Sequence, residues 1–244
     1  MNKDTLAKMQ HLKLYGMHQA FKMEVEYPTT PALPTDQLIA QLVDAEYDDR
    51  HNRKIIRLLK NAKLRYKAVL EELIIEAQRN IDKDKIVRLA EGSFIDNKEN
   101  IFITGSTGVG KSWIACAIAH QCCCNEQSVM YFTTSRLLAQ LKLSKADGTY
   151  LRMMRKLQRQ KVLILDDFGL QSIDSTKSHI LLELIEDRYN LSSLIITSQV
   201  PVDKWYDLIS EKTIADAIMD RLVHKAHTIE LQGESMRRKK VKNN

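Results

Sequence analysis

Hydrophobic residues follow two different periods along the chain, and the change comes near Asn97. Before it, apolar residues recur at helical spacing, as in residues 4–24, so the first part of the chain is predicted to be α-helical. After it, short runs rich in β-branched or aromatic residues alternate with stretches long enough for helices. These runs are NIFITG, SVMYFTT, KVLILDD, SLIITSQ and HTIEL. The alternation predicts an α/β fold, in which a five-stranded parallel sheet is flanked by helices and preceded by a small all-α region.

Proline and charge subdivide the helical part. The segment YPTTPALP, residues 27–34, holds three of the four prolines of the chain and predicts a linker or a sharp corner. One further helical block is predicted from Thr35, and another from about Arg50 to Gln78. The last block carries a cationic stripe on a different face from its apolar residues. The stripe consists of Arg53, Arg57, Lys60 and Lys67.

Composition narrows the setting of the protein. The chain has 244 residues, 44% of them apolar, which is enough for one sizeable core and a small accessory domain. It contains no run of about 18 apolar residues and no signal-peptide pattern, so we expect a cytosolic protein. Three of the four cysteines are consecutive, which fits neither a disulfide framework nor a metal site and predicts reduced structural thiols. A net charge of +6 and a pI of about 9.0 favour a polyanionic partner.

The stretch IFITGSTGVGKS, residues 101–112, contains a complete G-x-x-x-x-G-K-[ST] motif. It follows a predicted strand and opens a predicted helix, which is the context that a phosphate-binding loop requires. Its backbone N–H groups and the helix dipole would bind phosphate, Lys111 would reach the β- and γ-phosphates, and Ser112 would ligate Mg²⁺. We therefore predict a nucleoside triphosphate, ATP, and Mg²⁺ as cofactors. The predicted binding residues are Gly105, Ser106, Thr107, Gly108, Val109, Gly110, Lys111 and Ser112.

A second motif, KVLILDDFG, ends a buried type of strand in two carboxylates. In a parallel sheet this strand would deliver Asp166 and Asp167 to the edge where the phosphates bind. We predict that Asp166 holds Mg²⁺ and that Asp167 polarises the attacking water. The alternative is that both acids cap a helix. Two adjacent acids favour hydrolysis, because simple nucleotide binding needs only the first.

Further candidates follow along the chain. The run SLIITSQ ends in Thr197, Ser198 and Gln199, any of which could sense the γ-phosphate or cap the strand end. We name Ser198 as the candidate sensor, although the residues alone leave the choice among the three open. Arg221 lies in AIMDRLVHKA and Arg237 in GESMRRKK. On its own, an isolated arginine of this kind is usually a solvated surface residue.

The motifs GSTGVGKS, LILDDFG, IITSQ, DRLVH and GESMR together resemble the AAA+ ATPases of the IstB-like class. These are helper proteins of insertion-sequence transposition, and helicase loaders of the DnaC type are near relatives. The similarity covers nearly the whole chain and includes LKLYGM near its start. By this resemblance Arg221 matches the arginine finger supplied to the ATP of a neighbouring subunit, and Arg237 matches the second sensor. It therefore implies an ATPase that works as a homo-oligomeric ring or spiral.

The chain departs from the family pattern in two places. Asp166-Asp167 stands where many AAA+ motors have Asp-Glu, which predicts slower activation of water. The sequence RYKAVLEEL follows AKL, where relatives commonly have a proline. We place the boundary of a helical N-terminal domain for partner, DNA or subunit contacts at residues 1–68, and the AAA+ ATPase domain at residues 69–244.

A second cationic helix is predicted between the second and third β-rich runs. Its basic residues, at positions i, i+3, i+4 and i+7, are Arg152, Arg155, Lys156 and Arg159. Two such stripes in a chain that resembles a DNA-remodelling family favour contacts to duplex phosphates, largely without sequence choice, and association with the nucleoid. The resemblance implies delivery of target DNA to a cognate transposase. The alternatives are a loader of a replicative helicase and a small-molecule kinase, which would turn over without DNA.

Overall fold

The computed structural model describes residues 2–28, 33–73 and 80–236. The chain divides into two compact units, Met1–Arg57 and Leu58–Asn244. The functional boundary after residue 68 stays a prediction. Among the described residues, no helix combines the length and the apolar character that crossing a membrane requires.

The N-terminal part is helical, as the sequence predicts. Its helices are α1 (Asn2–His11), α2 (Tyr15–Glu26) and α3 (Thr35–Ala62). The backbone of Lys13 has a φ of 60°, which separates α1 from α2 within the stretch predicted as helical. The Glu46 carboxylate accepts N–H groups of Gly16 at 2.9 Å and Met17 at 3.3 Å. A side-chain carboxylate of α3 therefore satisfies free donors in the first turn of α2.

The helix after the proline-rich segment differs from the prediction. The two predicted blocks are one 28-residue helix, and it ends at Ala62. Lys63 then adopts a left-handed backbone with a φ of 52°. Ala62 and Ala68 are both fully buried in the apolar core, and the turn at Lys63 lets the chain after Ala62 pack against that core. The prediction of helix after Ala62 is therefore wrong for the described residues, and Lys67 does not continue the stripe. Gln78, the predicted end of the helix, lies outside the described residues.

The larger unit is built on a five-stranded parallel sheet in the order β2-β3-β4-β1-β5. All five β-rich runs of the sequence are strands, so the predicted sheet is confirmed. The strands are β1 (Asn100–Gly105), β2 (Val129–Thr133), β3 (Val162–Phe168), β4 (Ser193–Ser198) and β5 (Ala226–Leu231). Because β4 lies between β3 and β1, the carboxyl ends of these three strands share one edge of the sheet.

Helices cover both faces of the sheet and make the crossover connections. They are α4 (Lys83–Ala90), α5 (Ser93–Asp96), α6 (Lys111–Cys124), α7 (Thr134–Ala146), α8 (Tyr150–Gln158), α9 (Ser175–Glu186) and α10 (Lys212–Val223). Side chains of β1 alternate between the two resulting cores: Ile101 and Ile103 pack with α6, whereas Phe102 packs with α7, α9 and α10. Burial on both faces explains why the strands read as nearly continuous apolar runs.

The cysteines belong to the core on the α6 side. Cys116, Cys122 and Cys123 are buried, and Cys124 is partly buried. No disulfide joins them. Burial in apolar surroundings raises the pKa of Cys122 and of Cys123 to about 12. The thiols are therefore reduced packing residues in this structure, as the sequence predicts.

Candidate functional site

The phosphate-binding loop connects β1 to α6 and closes against the C-terminal segment. Gly108 has a φ of 87°, and a Cβ added there would lie 2.1 Å from the Ser235 hydroxyl oxygen. The Met236 N–H also donates to the Gly108 carbonyl at 3.0 Å. Only glycine fits this close approach and left-handed backbone. The GESM segment thus forms one wall of the loop.

Lys111 begins α6 and points back over the loop. Its side chain is nearly buried, and Nζ donates to the carbonyls of Gly105 and Ser106, both at 2.8 Å. Gly110 precedes it with a left-handed φ of 103° and starts the helix. The loop therefore holds a positive charge and a helix N-terminus at the same place, which is suited to binding phosphate.

Asp166 lies at the end of β3 with no exposed surface. Ser112 donates to Oδ1 at 2.7 Å, and the Thr197 hydroxyl donates to the same oxygen. The Tyr131 hydroxyl donates to Oδ2. Hydroxyl groups from α6, β4 and β2 therefore fix both oxygens, and the full burial of a carboxylate is compensated by these bonds.

Asp167 is presented differently from Asp166. The pairing of β3 with β4 shifts register between Leu165 and Phe168, and Asp167 has a φ of 56°. Its backbone N–H donates to the Thr197 hydroxyl at 3.1 Å, and its side chain is 28% exposed. The irregularity lets two successive carboxylates reach the same edge, because a regular strand would point them to opposite faces.

The sensor candidates have distinct contacts. Thr197 bonds to both acidic residues, as described above. The Ser198 hydroxyl donates to the Phe168 carbonyl at 2.7 Å, and the Gln199 side-chain oxygen accepts a bond from Thr107 at 2.7 Å. Ser198 therefore stays a prediction, while Thr197 is the hydroxyl placed against the acid pair and Gln199 the side chain placed against the loop.

Arg65 is a residue of this site that our sequence reasoning missed. Its Nη1 lies 3.3 Å from Asp166 Oδ2 and 3.4 Å from Asp167 Oδ2. The signal in the sequence is the departure from the family pattern after AKL, where RYKAVLEEL begins. Residues about 100 positions apart meet here, and neither periodicity nor motif spacing reports such a contact.

The donors around Ser112 and Asp166 fit Mg²⁺ bound together with a nucleotide. A hydroxyl and a carboxylate from two elements meet at 2.7 Å, next to a loop suited to phosphates. Within the described part of the chain, no group of three or more His, Cys, Asp or Glu residues could hold a metal ion without help. Mg²⁺ characteristically binds through one or two protein side chains plus phosphate oxygens and water.

Arg221 lies away from the loop of its own chain. It is in the last turn of α10, where Nη1 donates to the Ala217 carbonyl at 2.8 Å and Nη2 lies 2.9 Å from Glu186 Oε1. The next residue, Leu222, accepts a bond from Asn100, the first residue of β1, at 3.0 Å. The loop follows the last residue of β1, about 17 Å farther along that strand. Arg237 lies outside the described residues.

The two cationic stripes are helical, and their charges differ in accessibility. Arg152, Arg155, Lys156 and Arg159 are exposed along α8 and the residue after it, whereas Met154 and Leu157 are buried. On α3, Arg57 and Lys60 are exposed. Arg53 is also exposed but forms an ion pair with Asp49, one turn earlier on the same helix. Its charge is therefore partly neutralised.

Comparisons with known proteins agree with this geometry. The chain matches the family model "IstB-like ATP binding protein" over residues 7–244. It is 43% identical over 234 residues to the insertion sequence ATP-binding protein y4pL of Sinorhizobium fredii, and the match covers 96% of each chain.

Solved structures show the same fold. The DnaC helicase loader superposes with a TM-score of 0.58 and 20% identity, over 70% of this chain and all of that one. The replication initiator DnaA bound to AMPPCP and single-stranded DNA superposes with a TM-score of 0.60 and 19% identity, over 74% of this chain and 56% of that one. These findings confirm the AAA+ fold and the ATP-binding ATPase class predicted from the sequence, and the name of the y4pL relative places that protein in an insertion sequence. The chain belongs to the IstB-like ATP binding protein family.

Proposed function

We propose that this protein is an ATP-dependent, DNA-binding AAA+ regulator of DNA transposition. It assembles on duplex target DNA, hydrolyses ATP at its subunit interfaces and delivers the DNA to a cognate transposase. The insertion-sequence name of the y4pL relative supports the context, because that protein matches this chain over nearly its whole length. The proposal has three parts, and each is supported by a different set of residues.

The chemistry is hydrolysis of the γ-phosphate. Lys111 binds the phosphates, and Ser112 and Asp166 are the residues that would hold Mg²⁺. The metal, when bound, supplies charge neutralisation of the phosphate oxygens. Asp167 accepts a hydrogen bond from the attacking water and orients it. The Thr197 hydroxyl supports both acids, while Ser198 and Gln199 remain alternatives as the group that senses the γ-phosphate.

The single observation that carries the shared site is the position of Arg221. It lies beside the amino-terminal end of β1, whereas the phosphate-binding loop follows the other end. A side chain of arginine spans much less than this distance, so Arg221 of one subunit serves the ATP of its neighbour. Arg237 is the proposed second sensor. Loss of the γ-phosphate then loosens the boundary between subunits in a ring or spiral.

Duplex DNA is the proposed polyanion, bound largely without sequence choice. The exposed cations of α8 support this part, together with Arg57 and Lys60 and, less strongly, the paired Arg53. Lysine and arginine contacts to phosphates give affinity that does not depend on base sequence. The helical region 1–68 is proposed to add partner, DNA or subunit contacts. Bound in this way, the protein would associate with the nucleoid.

The runner-up function is loading of a replicative helicase. The observation that favours it is the fold of the DnaC helicase loader, whose whole length this chain matches in structure. The two functions share the ATPase chemistry and differ in the client protein. A pull-down with the full chain as bait separates them, because the protein captured through residues 1–68 is either a transposase or a helicase.

ATP hydrolysis with and without duplex DNA tests the proposal, combined with size analysis in AMPPCP. We expect duplex to stimulate hydrolysis and the analogue to drive large assemblies on DNA. Hydrolysis that ignores DNA, in a protein that stays monomeric, would overturn the transposition proposal and favour a small-molecule phosphoryl acceptor. Single-stranded DNA of equal length is the control for the preference for duplex.

A further inference from the structure

Arg65 is the one guanidinium that contacts both acids of the candidate site within the described part of the chain. A single nitrogen, Nη1, lies 3.3 Å from Asp166 Oδ2 and 3.4 Å from Asp167 Oδ2. All three residues belong to the same compact unit. The contact therefore places one positive charge between two neighbouring negative charges.

The two acids depend on Arg65 to different degrees. Asp166 is fully buried and accepts hydroxyl bonds from Ser112, Thr197 and Tyr131, so its direction is fixed without Arg65. The Asp167 side chain is 28% exposed, and Arg65 is the donor to its carboxylate among the described residues. The Asp167 backbone is fixed by its bond to Thr197, but that bond leaves the side chain free to rotate.

Arg65 itself is held in place by its surroundings. It lies between Ala62 and Ala68, which are both fully buried, so the segment that carries it is anchored at both ends. Its guanidinium carbon lies 5.5 Å from the centre of the Tyr66 ring, within the range of a cation–π contact. Hydrogen bonding with Tyr131, with further help from the charge of Asp166, raises the pKa of Arg65, so the positive charge is permanent.

We propose that Arg65 is a positioning residue for Asp167. Its guanidinium holds the Asp167 carboxylate in one direction and offsets the repulsion between the two acids, so that Asp167 meets the attacking water in a fixed orientation. The inference rests on the proposed role of Asp167 in hydrolysis and adds a residue to it. In this proposal Arg65 does not contact the nucleotide and affects hydrolysis through Asp167.

The kinetic test compares Arg65→Gln and Arg65→Lys with Arg88→Gln, measured with saturating duplex DNA. Arg88 is an exposed arginine on α4, outside the cationic stripes and the candidate site, and serves as the matched control. We expect kcat of the Gln variant to fall about tenfold or more, because loss of orientation at a reacting group is costly. Its KM for ATP and its affinity for AMPPCP should stay within about twofold of the parent, because Lys111 and Ser112 are untouched. The Lys variant should recover part of kcat, and Arg88→Gln should match the parent.

A second readout needs no nucleotide. Urea midpoints are measured for Arg65→Gln, for Asp167→Asn and for the double variant, since contacting residues give non-additive effects. We expect the double variant to lose less stability than the two single losses predict together. Additive losses would overturn the proposal, as would an unchanged kcat in Arg65→Gln. If Arg65→Gln fails to fold, the same comparison is made with Arg65→Lys, and a kcat equal to that of the parent then overturns the proposal.

The failure of this inference can be told apart from failure of the proposed function. If Asp167→Asn hydrolyses ATP at the parent rate, the role of Asp167 in hydrolysis is wrong, and the positioning role of Arg65 is wrong with it. If Asp167→Asn is inactive while Arg65→Gln keeps the parent kcat, only the positioning role is wrong. If Arg65→Gln loses AMPPCP affinity as strongly as it loses kcat, Arg65 acts on nucleotide binding and the proposal is overturned.

Discussion

Asp166 and Arg221 are both charged residues at the ends of the same sheet, but the chain surrounds them in opposite ways. Asp166 has no exposed surface, and three hydroxyl groups and an arginine of its own chain approach its two oxygens. The Arg221 side chain is 28% exposed, bonded to a carbonyl of its own helix and paired with a half-exposed glutamate. The Asp166 carboxylate is thus fixed by buried partners, whereas the Arg221 guanidinium is partly exposed and held by contacts at the surface.

In the proposed shared site, each chain would contribute one part to each of two active sites. Groups that must be placed to within a fraction of an ångström, the acids and the loop, are fixed by buried hydrogen bonds from several elements. A side chain that acts on a neighbouring subunit must extend from the surface of its own chain. Weak contacts at the surface allow it to leave its own chain and bind the neighbour. The comparison therefore predicts that changes at the two ends affect hydrolysis through different routes.

The largest effect is expected for Lys111→Ala. Removing the amine takes the positive charge from the phosphate-binding loop, so both AMPPCP affinity and hydrolysis should fall, with hydrolysis lower by about 1,000-fold. Equilibrium binding of a fluorescent nucleotide and steady-state hydrolysis measure the two effects. Binding at the parent affinity would show that the loop does not hold the phosphates.

Arg221→Ala should come next, with hydrolysis lower by about 100-fold or more and AMPPCP binding to one subunit unchanged. Arg88→Ala is the matched control, because Arg88 is an exposed arginine in the last turn of α4. Mixing Arg221→Ala with Lys111→Ala gives the sharpest result. Each variant alone should hydrolyse ATP slowly, whereas a mixed assembly should pair an intact loop with an intact arginine and recover hydrolysis. Absence of any recovered hydrolysis in the mixture would contradict the shared site.

Arg188 tests whether an arginine near Arg221 can have a purely structural role within its own chain. It is almost fully buried and donates to the carbonyls of Leu157, Gln160 and Ser193 at 2.7, 3.1 and 2.9 Å. We expect Arg188→Met to lower the free energy of unfolding by about 3 kcal/mol, because three buried carbonyls lose their donor. Urea denaturation measures this change. Equal stability, combined with a loss of hydrolysis like that of Arg221→Ala, would contradict a structural role.

The smallest effect is expected for α8. In the double variant Arg155→Gln, Arg159→Gln, duplex affinity should fall about tenfold, and the slope of log affinity against log salt should decrease by about two. Lys142→Gln, an exposed cation on α7, is the control. Fluorescence anisotropy over a salt series measures both quantities. An unchanged salt slope would remove α8 from the DNA-binding surface.

The sequence predicted the fold well wherever a local pattern determines it. Runs buried on both faces are strands, and the phosphate-binding loop lies between strand and helix because glycine spacing and apolar runs are local signals. The pattern failed after Ala62, where helical spacing continues in the sequence but burial of Ala62 and Ala68 redirects the backbone. It also missed Arg65, since its importance comes from a contact between distant segments. Whether Thr197 or Ser198 lies beside the acids depends on which face of the sheet each side chain points to. Because β4 is buried on both faces, its residues do not alternate between apolar and polar, so the sequence does not reveal these directions.

The burial of the cysteines has a practical consequence for experiments on this protein. Because the thiolate is the form that attacks maleimides, thiols with a pKa of about 12 react slowly near neutral pH. A single cysteine introduced on an exposed helix would therefore be labelled ahead of Cys122 and Cys123. Fluorophores placed in this way on α8 and α10 would report DNA binding and subunit assembly separately, with the native packing of α6 left intact.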